Sequence, residues 1–166
     1  MLSLKPQYWY DTIYDIDFDK LKEKGVKCIL FDIDNTMATY SENEPSEKLL
    51  ALCETLRSKD FTLAILSNGN SDRVKHFATV MDMKFYGKAL KPMKKGFRAL
   101  CDELGFTKND IAIVGDQLFT DILGGNNFGC ISVLVTPIEP SSDPAFVKFK
   151  RIFEKGTIRK LKKTEK

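Results

Sequence analysis

The chain has 166 residues, a length that argues for one compact unit able to bury about two-thirds of its unfolded surface. Its composition, 43% hydrophobic and 30% charged with ten Gly and six Pro, excludes collagen-like, disordered and disulfide-scaffold classes. The net charge of +3 is unevenly placed: residues 145–166 carry nine Lys/Arg against two Glu, which leaves −4 for residues 1–144 and confines the basicity to the C-terminal segment.

The N-terminal lead-in holds Leu2, Leu4, Tyr8, Trp9 and Tyr10, which either cover an edge of the core or meet lipid head groups. Asp17 reads as the N-cap of a short helix ending near Gly25. Val26, Cys28, Ile29, Leu30 and Phe31 then form a nearly continuous apolar run that stops at Asp32, as a buried parallel strand would. Leu49, Leu52, Cys53 and Leu56 follow at helical spacing behind Ser46, before a second apolar run over 61–66 that ends in Ser67. Val74, Phe77, Ala78 and Met81 predict a helix behind Ser71, and Lys84–Tyr86 a short extra strand. A helix carrying Phe97, Leu100, Cys101 and Leu104 stops at Gly105. The last two apolar runs, 111–114 and 131–135, end in Gly115-Asp116 and in Thr136.

Strands alternating with helices predict an α/β fold, a Rossmann-like three-layer sandwich with a central parallel sheet. Pro137, Pro140, Ser141, Ser142, Asp143 and Pro144 form a loop that divides the core, 1–144, from a basic amphipathic tail, 145–166. In that tail Phe146, Phe149, Ile152, Phe153, Ile158 and Leu161 alternate with basic residues. Two arrangements suit it: a helix laid on an anionic membrane, or one that packs its Phe face on the core. No apolar run approaches a spanning helix and no secretory signal pattern opens the chain, so a cytoplasmic protein, peripheral on the inner membrane face if the tail binds lipid, is expected. Cys28, Cys53, Cys101 and Cys130 lack any C-x-x-C spacing, and His76 is the single histidine. These read as buried thiols and an exposed imidazole rather than a zinc site.

Ligand crevices of open parallel sheets lie at the carboxyl ends of the strands. Asp32-Ile33-Asp34-Asn35-Thr36, Ser67-Asn68-Gly69-Asn70 and Gly115-Asp116 with Asp121 fall there. A carboxylate can attack phosphorus and split one difficult displacement into two, which makes Asp32 the candidate nucleophile. Asp34 would protonate the leaving oxygen and later deprotonate water. Four such carboxylates repel a phosphate dianion, at about 4 kcal/mol per pair at 4 Å and an effective dielectric of 20. A divalent cation is therefore required, and hard oxygen ligands favour Mg²⁺. An EF-hand reading from Asp32 fails because Met37 and Asn43 replace the required Gly and Glu; from Asp15, Lys20 and Val26 do the same.

Asp32-x-Asp34-x-Thr36, Ser67, Lys91-Pro92 and Gly115-Asp116 with Asp121 together resemble the four ordered motifs of the haloacid dehalogenase (HAD) superfamily. Lys91-Pro92 to Gly96-Phe97, Gly115-Asp116-Gln117-Leu118 with Thr120-Asp121, and Leu123-Gly124-Gly125-Asn126 are similar to its YqeG-type phosphatases of subfamily IIIA. The resemblance implies a metal held by Asp32, the Asp34 main-chain carbonyl and Asp116, with Asp121 behind them. Lys91, Ser67 and the backbone at Asn68 would bind the phosphoryl group, and Thr36 would orient the loop. It also implies phosphatidylglycerophosphate as substrate, since plant and fungal members of this branch act on it. A soluble phosphate ester, a nucleic-acid phosphate end, or RNA or ribosome binding through the tail are the competing readings. Residues 35–66 and 68–90 are used by core elements, so no cap domain fits and the site is expected to be open. Arg73 reads as a surface residue.

Overall fold

The computed structural model describes residues 3–164, with side chains to Leu161. Leu2 of the lead-in and residues 165–166 of the basic tail lie outside the described residues. Six parallel strands form one sheet in the order β1-β6-β5-β2-β3-β4. They are β1 (Tyr8–Tyr10), β2 (Cys28–Phe31), β3 (Thr62–Leu66), β4 (Lys84–Tyr86), β5 (Ile111–Gly115) and β6 (Ile131–Val135). The helices are α1 (Phe18–Glu23), α2 (Glu47–Ser58), α3 (Ser71–Val80), α4 (Lys95–Leu104), α5 (Leu123–Phe128) and α6 (Ala145–Thr164).

The strands read as unbroken apolar runs because both faces of the sheet are covered. Ile29, Phe31, Ile65 and Val114 point to a core completed by Leu49, Leu56 and Phe77 of α2 and α3. Their neighbours Leu30, Leu66 and Ile113 point to the other face, under Phe97 and Leu100 of α4. Close packing explains Gly125: a Cβ there would lie 2.4 Å from Ile113 Cγ2.

The helix starts follow their capping chemistry. Asp17 accepts from Lys20 N at 2.9 Å and Ser46 from Leu49 N at 3.2 Å. The start of α3 is one residue earlier than Ser71 suggested, because Asn70 Oδ1 accepts from Asp72 N at 2.8 Å. At the end of α4, Gly105 adopts φ 74° and returns its N–H to Cys101 O, the left-handed termination glycine permits. All four cysteines are buried and unpaired in disulfides.

Both ends of the chain meet at β6. Tyr8, Trp9 and Tyr10 pair with Val133, Leu134 and Val135, so the aromatic lead-in covers the sheet edge. Helix α6 turns Val147, Arg151 and Glu154 inward and packs Ile158 and Leu161 with Trp9 against Leu118, Ile122 and Leu134. Phe146, Phe149, Ile152 and Phe153 remain exposed. That corrects the arrangement in which the Phe face meets the core: the buried stripe is the one carrying Arg151 and Glu154, which reach Asp116, Asp143 and the Phe119 N–H. Among the described residues no helix is long and apolar enough to cross a membrane.

Candidate active site

Central strand β2 delivers Asp32 to the carboxyl edge of the sheet, with β3 and β5 on either side placing Ser67 and Asp116 beside it. The chain then turns sharply. Asn35 sits at φ 60°, a conformation asparagine tolerates better than most residues. Its side chain donates to Asp143 Oδ1 at 2.5 Å and accepts from Glu139 N at 2.9 Å. Asp121 is carried by a π-helical turn, Leu118–Ile122, a distortion common at functional sites. Its Oδ2 accepts from Gln117 N at 3.1 Å.

Lys91 ties three strands together. Its Nζ donates to Asp32 Oδ1 at 2.8 Å, Asp121 Oδ1 at 2.6 Å and Leu66 O at 2.7 Å, so all three ammonium protons already have protein partners. Asn68 clamps its backbone, donating to Lys91 O at 3.1 Å and accepting from Lys91 N at 2.8 Å. The Asn68 side chain is thus engaged with Lys91, and its backbone is the part left for a ligand in the cavity it lines. Ser67 Oγ accepts from Gly69 N at 3.0 Å, which leaves its hydroxyl proton available to donate. A Cβ at Gly69 would lie 2.7 Å from Asp34 Oδ2, so glycine lets this turn pass close to the second aspartate.

Asp32, Asp116 and Asp121 are buried, and each can present a carboxylate oxygen within 4.8 Å of the others. This set of hard oxygen donors fits a small divalent cation such as Mg²⁺. Burial is the largest influence on Asp32 and raises its carboxyl above the usual range, against the pull of Lys91. Asp116 is raised well above it for the same reason, against Arg151. Burial alone would lower Lys91, but Asp121 and Asp32 reverse that and hold it above an ordinary lysine. Thr36 Oγ1 donates to Asp116 Oδ1 at 3.3 Å, so the threonine touches a carboxylate of the cluster as well as the loop.

Two arginines complete the site. Arg73 is not a surface residue: its guanidinium pairs with Asp34 Oδ1, donates to Thr39 O at 2.7 Å and Glu42 O at 2.9 Å, and stacks over the Phe77 ring. The Asp34 carboxyl is still pushed up by burial, with Arg73 the chief opposing influence. Arg151 of α6 donates through Nη2 to Asp116 Oδ2 at 2.5 Å and through Nε to Asp143. The sequence hid both arginines, one on a polar helix face and one among the cations of the tail. Arg151 does fall on the stripe of Val147, Ile158 and Leu161, which is the signal that marks it as inward.

The mouth is a cavity of about 170 Å³ lined by Asp32, Asp34, Ser67 and Lys91 on one side and Phe146 and Lys150 on the other. No cap domain interrupts the described residues, yet the site is less open than the spacing suggested. The start of α6 walls one side, and Asp32 and Asp34 are only 4% and 8% exposed. A roomier cleft of 570 Å³, lined in part by Tyr14, Met37, Glu42 and Ile138, holds none of the four carboxylates.

An open parallel sheet with clustered aspartates, a lysine and a serine at its central carboxyl edge is the arrangement of HAD-type phosphatases. The chain belongs to the haloacid dehalogenase-like hydrolases, whose family model matches residues 7–129. Over 158 residues it is 35% identical to the probable phosphatase YqeG of Bacillus subtilis, covering 95% of this chain and 91% of that one. It is 29% identical over 156 residues to phosphatidylglycerophosphate phosphatase 1, chloroplastic/mitochondrial, of Arabidopsis thaliana, covering 87% of this chain but 44% of that longer protein. The fold is similar to a solved structure of the cobalt-bound deoxy-D-mannose-octulosonate 8-phosphate phosphatase of Haemophilus influenzae, with TM-score 0.57, 18% identity, and 78% and 77% of the two chains covered. The protein is a phosphatase of the HAD superfamily.

Proposed function

We propose that the protein is a Mg²⁺-dependent phosphomonoesterase that works through an aspartyl-phosphate on Asp32, with phosphatidylglycerophosphate as its substrate. The observation that carries the chemistry is the convergence of Asp32, Asp116 and Asp121 in one buried cluster beside Asp34. An Asp32 carboxylate oxygen attacks phosphorus as the ester P–O bond breaks, and the Asp34 carboxyl gives its proton to the departing alkoxide. Asp34, now a carboxylate, takes a proton from a water that attacks the acyl phosphate, releasing inorganic phosphate and restoring Asp32. Arg73 holds Asp34 in place through both halves of this cycle. Ser67 Oγ donates to the phosphoryl oxygens, while Lys91 fixes Asp32 and adds positive charge behind it. Asp32, Asp116 and the Asp34 main-chain carbonyl, with Asp121 behind them, would hold Mg²⁺, which would neutralise carboxylate and phosphate charge.

Two points support the lipid. The plant relative carries that activity in its name, and a cavity of about 170 Å³ admits a phosphoryl group and its nearest carbons while the remainder of a large substrate stays outside. The test is phosphate release from phosphatidylglycerophosphate in detergent, sugar phosphates and nucleotide ends, with Mg²⁺ and with chelator. Lipid turnover that needs Mg²⁺ and falls at least about a thousandfold in Asp32→Asn is expected. Faster turnover of a soluble ester than of the lipid would overturn the substrate, and an active Asp32→Asn variant the mechanism.

A further inference from the structure

We infer that the rim of the active-site mouth, formed by the outer face of α6 and the 88–95 segment, is a docking surface for an anionic lipid bilayer. This deepens the lipid reading of the same site, but its deciding readout is vesicle binding. At 3.6 residues per turn, turning Val147, Arg151, Glu154 and the partly buried Ile158 inward leaves Phe146, Phe149, Ile152 and Phe153 on the opposite side, at 67, 59, 63 and 58% exposure. The Phe149 and Phe153 rings meet edge to face at 5.2 Å, so the stripe is continuous. A contiguous exposed apolar stripe rimmed by polar residues marks an interaction site.

Charge identifies the partner. Lys148, Lys155 and Arg159 are exposed beside the stripe, and the Lys150 ammonium sits 4.3 Å from the centre of the Phe146 ring. The only acidic residue of α6, Glu154, is buried. The pattern repeats in the 88–95 segment on either side of Lys91: Leu90 and Met93, 64 and 59% exposed, stand among exposed Lys88, Lys94 and Lys95. Lys91 from this segment and Phe146 and Lys150 from α6 line one cavity, so both segments contribute to the same opening. Apolar side chains interspersed with cations suit the boundary of an anionic bilayer, where the chains enter the acyl layer and the lysines meet lipid phosphates. A single-stranded nucleic acid would match the lysines and the Phe rings but not Ile152, Leu90 and Met93, which offer no surface for base stacking. Docked this way, the protein points its catalytic aspartates at the head groups.

The full chain is sedimented with vesicles of phosphatidylcholine alone and of phosphatidylcholine with phosphatidylglycerol, at low and high salt. Pelleting with the anionic vesicles only, weakened by salt, is expected. The Phe149→Ser/Phe153→Ser and Lys148→Glu/Lys155→Glu variants should each lose at least about tenfold in bound fraction, with an unchanged thermal midpoint and unchanged turnover of a soluble chromogenic ester. A wild type that stays in the supernatant, or a double Phe variant that pellets as well as wild type, would overturn the docking surface. Turnover of detergent-dispersed lipid by a protein that does not pellet sinks the surface and spares the substrate. Pelleting without such turnover does the reverse.

Discussion

Arg73 shows how much of this site depends on residues that do no bond chemistry themselves. One guanidinium holds Asp34 and the carbonyls of Thr39 and Glu42, a planar fork that a lysine cannot reproduce. Arg73→Lys should therefore lower kcat about 10–100-fold, the range found when supporting partners of a site residue are removed, and steady-state kinetics on a soluble ester would measure it. Arg151 is a different case, since its loss leaves Asp116 and Asp143 as buried carboxylates without a cation. Arg151→Met should cost about 3–5 kcal/mol in denaturant titrations, with the metal absent. The aspartates were legible in the sequence because their spacing after apolar runs is itself the chemical signal. The partners of the arginines were not, because a long side chain reaches its partner from a distance that no local pattern records. Arg151 and Asp116 are 35 residues apart.

Among the elements, α6 departs most from its hydropathy. Its most apolar stripe faces outward, since the opposite stripe brings Arg151 to Asp116 and Glu154 Oε1 to Phe119 N at 3.0 Å. Deleting 145–166 therefore does not separate tail binding from catalysis, because it strips Asp116 of its cation. Glu154 Oε2 is buried with no hydrogen-bond partner among the described residues, and burial raises its carboxyl. A raised carboxyl means that the folded state holds its proton more tightly than the unfolded chain, so this group lowers stability as pH rises through the folded value. Glu154→Gln should melt higher than wild type near neutral pH, and the difference should vanish in acid, below the unfolded carboxyl value. Helix α5 offers a packing test. Gly125→Ala presses a methyl on Ile113 and should cost about 1–3 kcal/mol, read by thermal or denaturant melts. Strands β2, β3, β5 and β6 could be read directly, as four or five apolar residues stopping at a polar one. Strand β1 could not, because three aromatic residues without alternation or a turn signal look the same on an edge strand as in a loop.

At the scale of the molecule, the sheet order β1-β6-β5-β2-β3-β4 places every motif at one edge. The strand ends give that edge its carboxylates, and α6 and the 88–95 segment give it a rim. The absence of a cap in the spacing was informative, but it pointed to a more exposed site than the one found. A helix arriving from beyond the last strand does part of a cap's work, and nothing between the motifs could announce it.

The pairing of β1 with β6 sets the order in which the protein can be assembled during synthesis. Tyr8–Tyr10 leave the ribosome first, but their partners Val133–Val135 follow only after another 125 residues, roughly 6–25 s at 5–20 residues per second. Until then the aromatic strand has no edge to join, and Asp116 gains Arg151 at a later point still, 35 residues after its own synthesis. The nascent chain can build its central strands early, yet the carboxylate cluster gains its last counter-charge only when the C-terminal helix is complete.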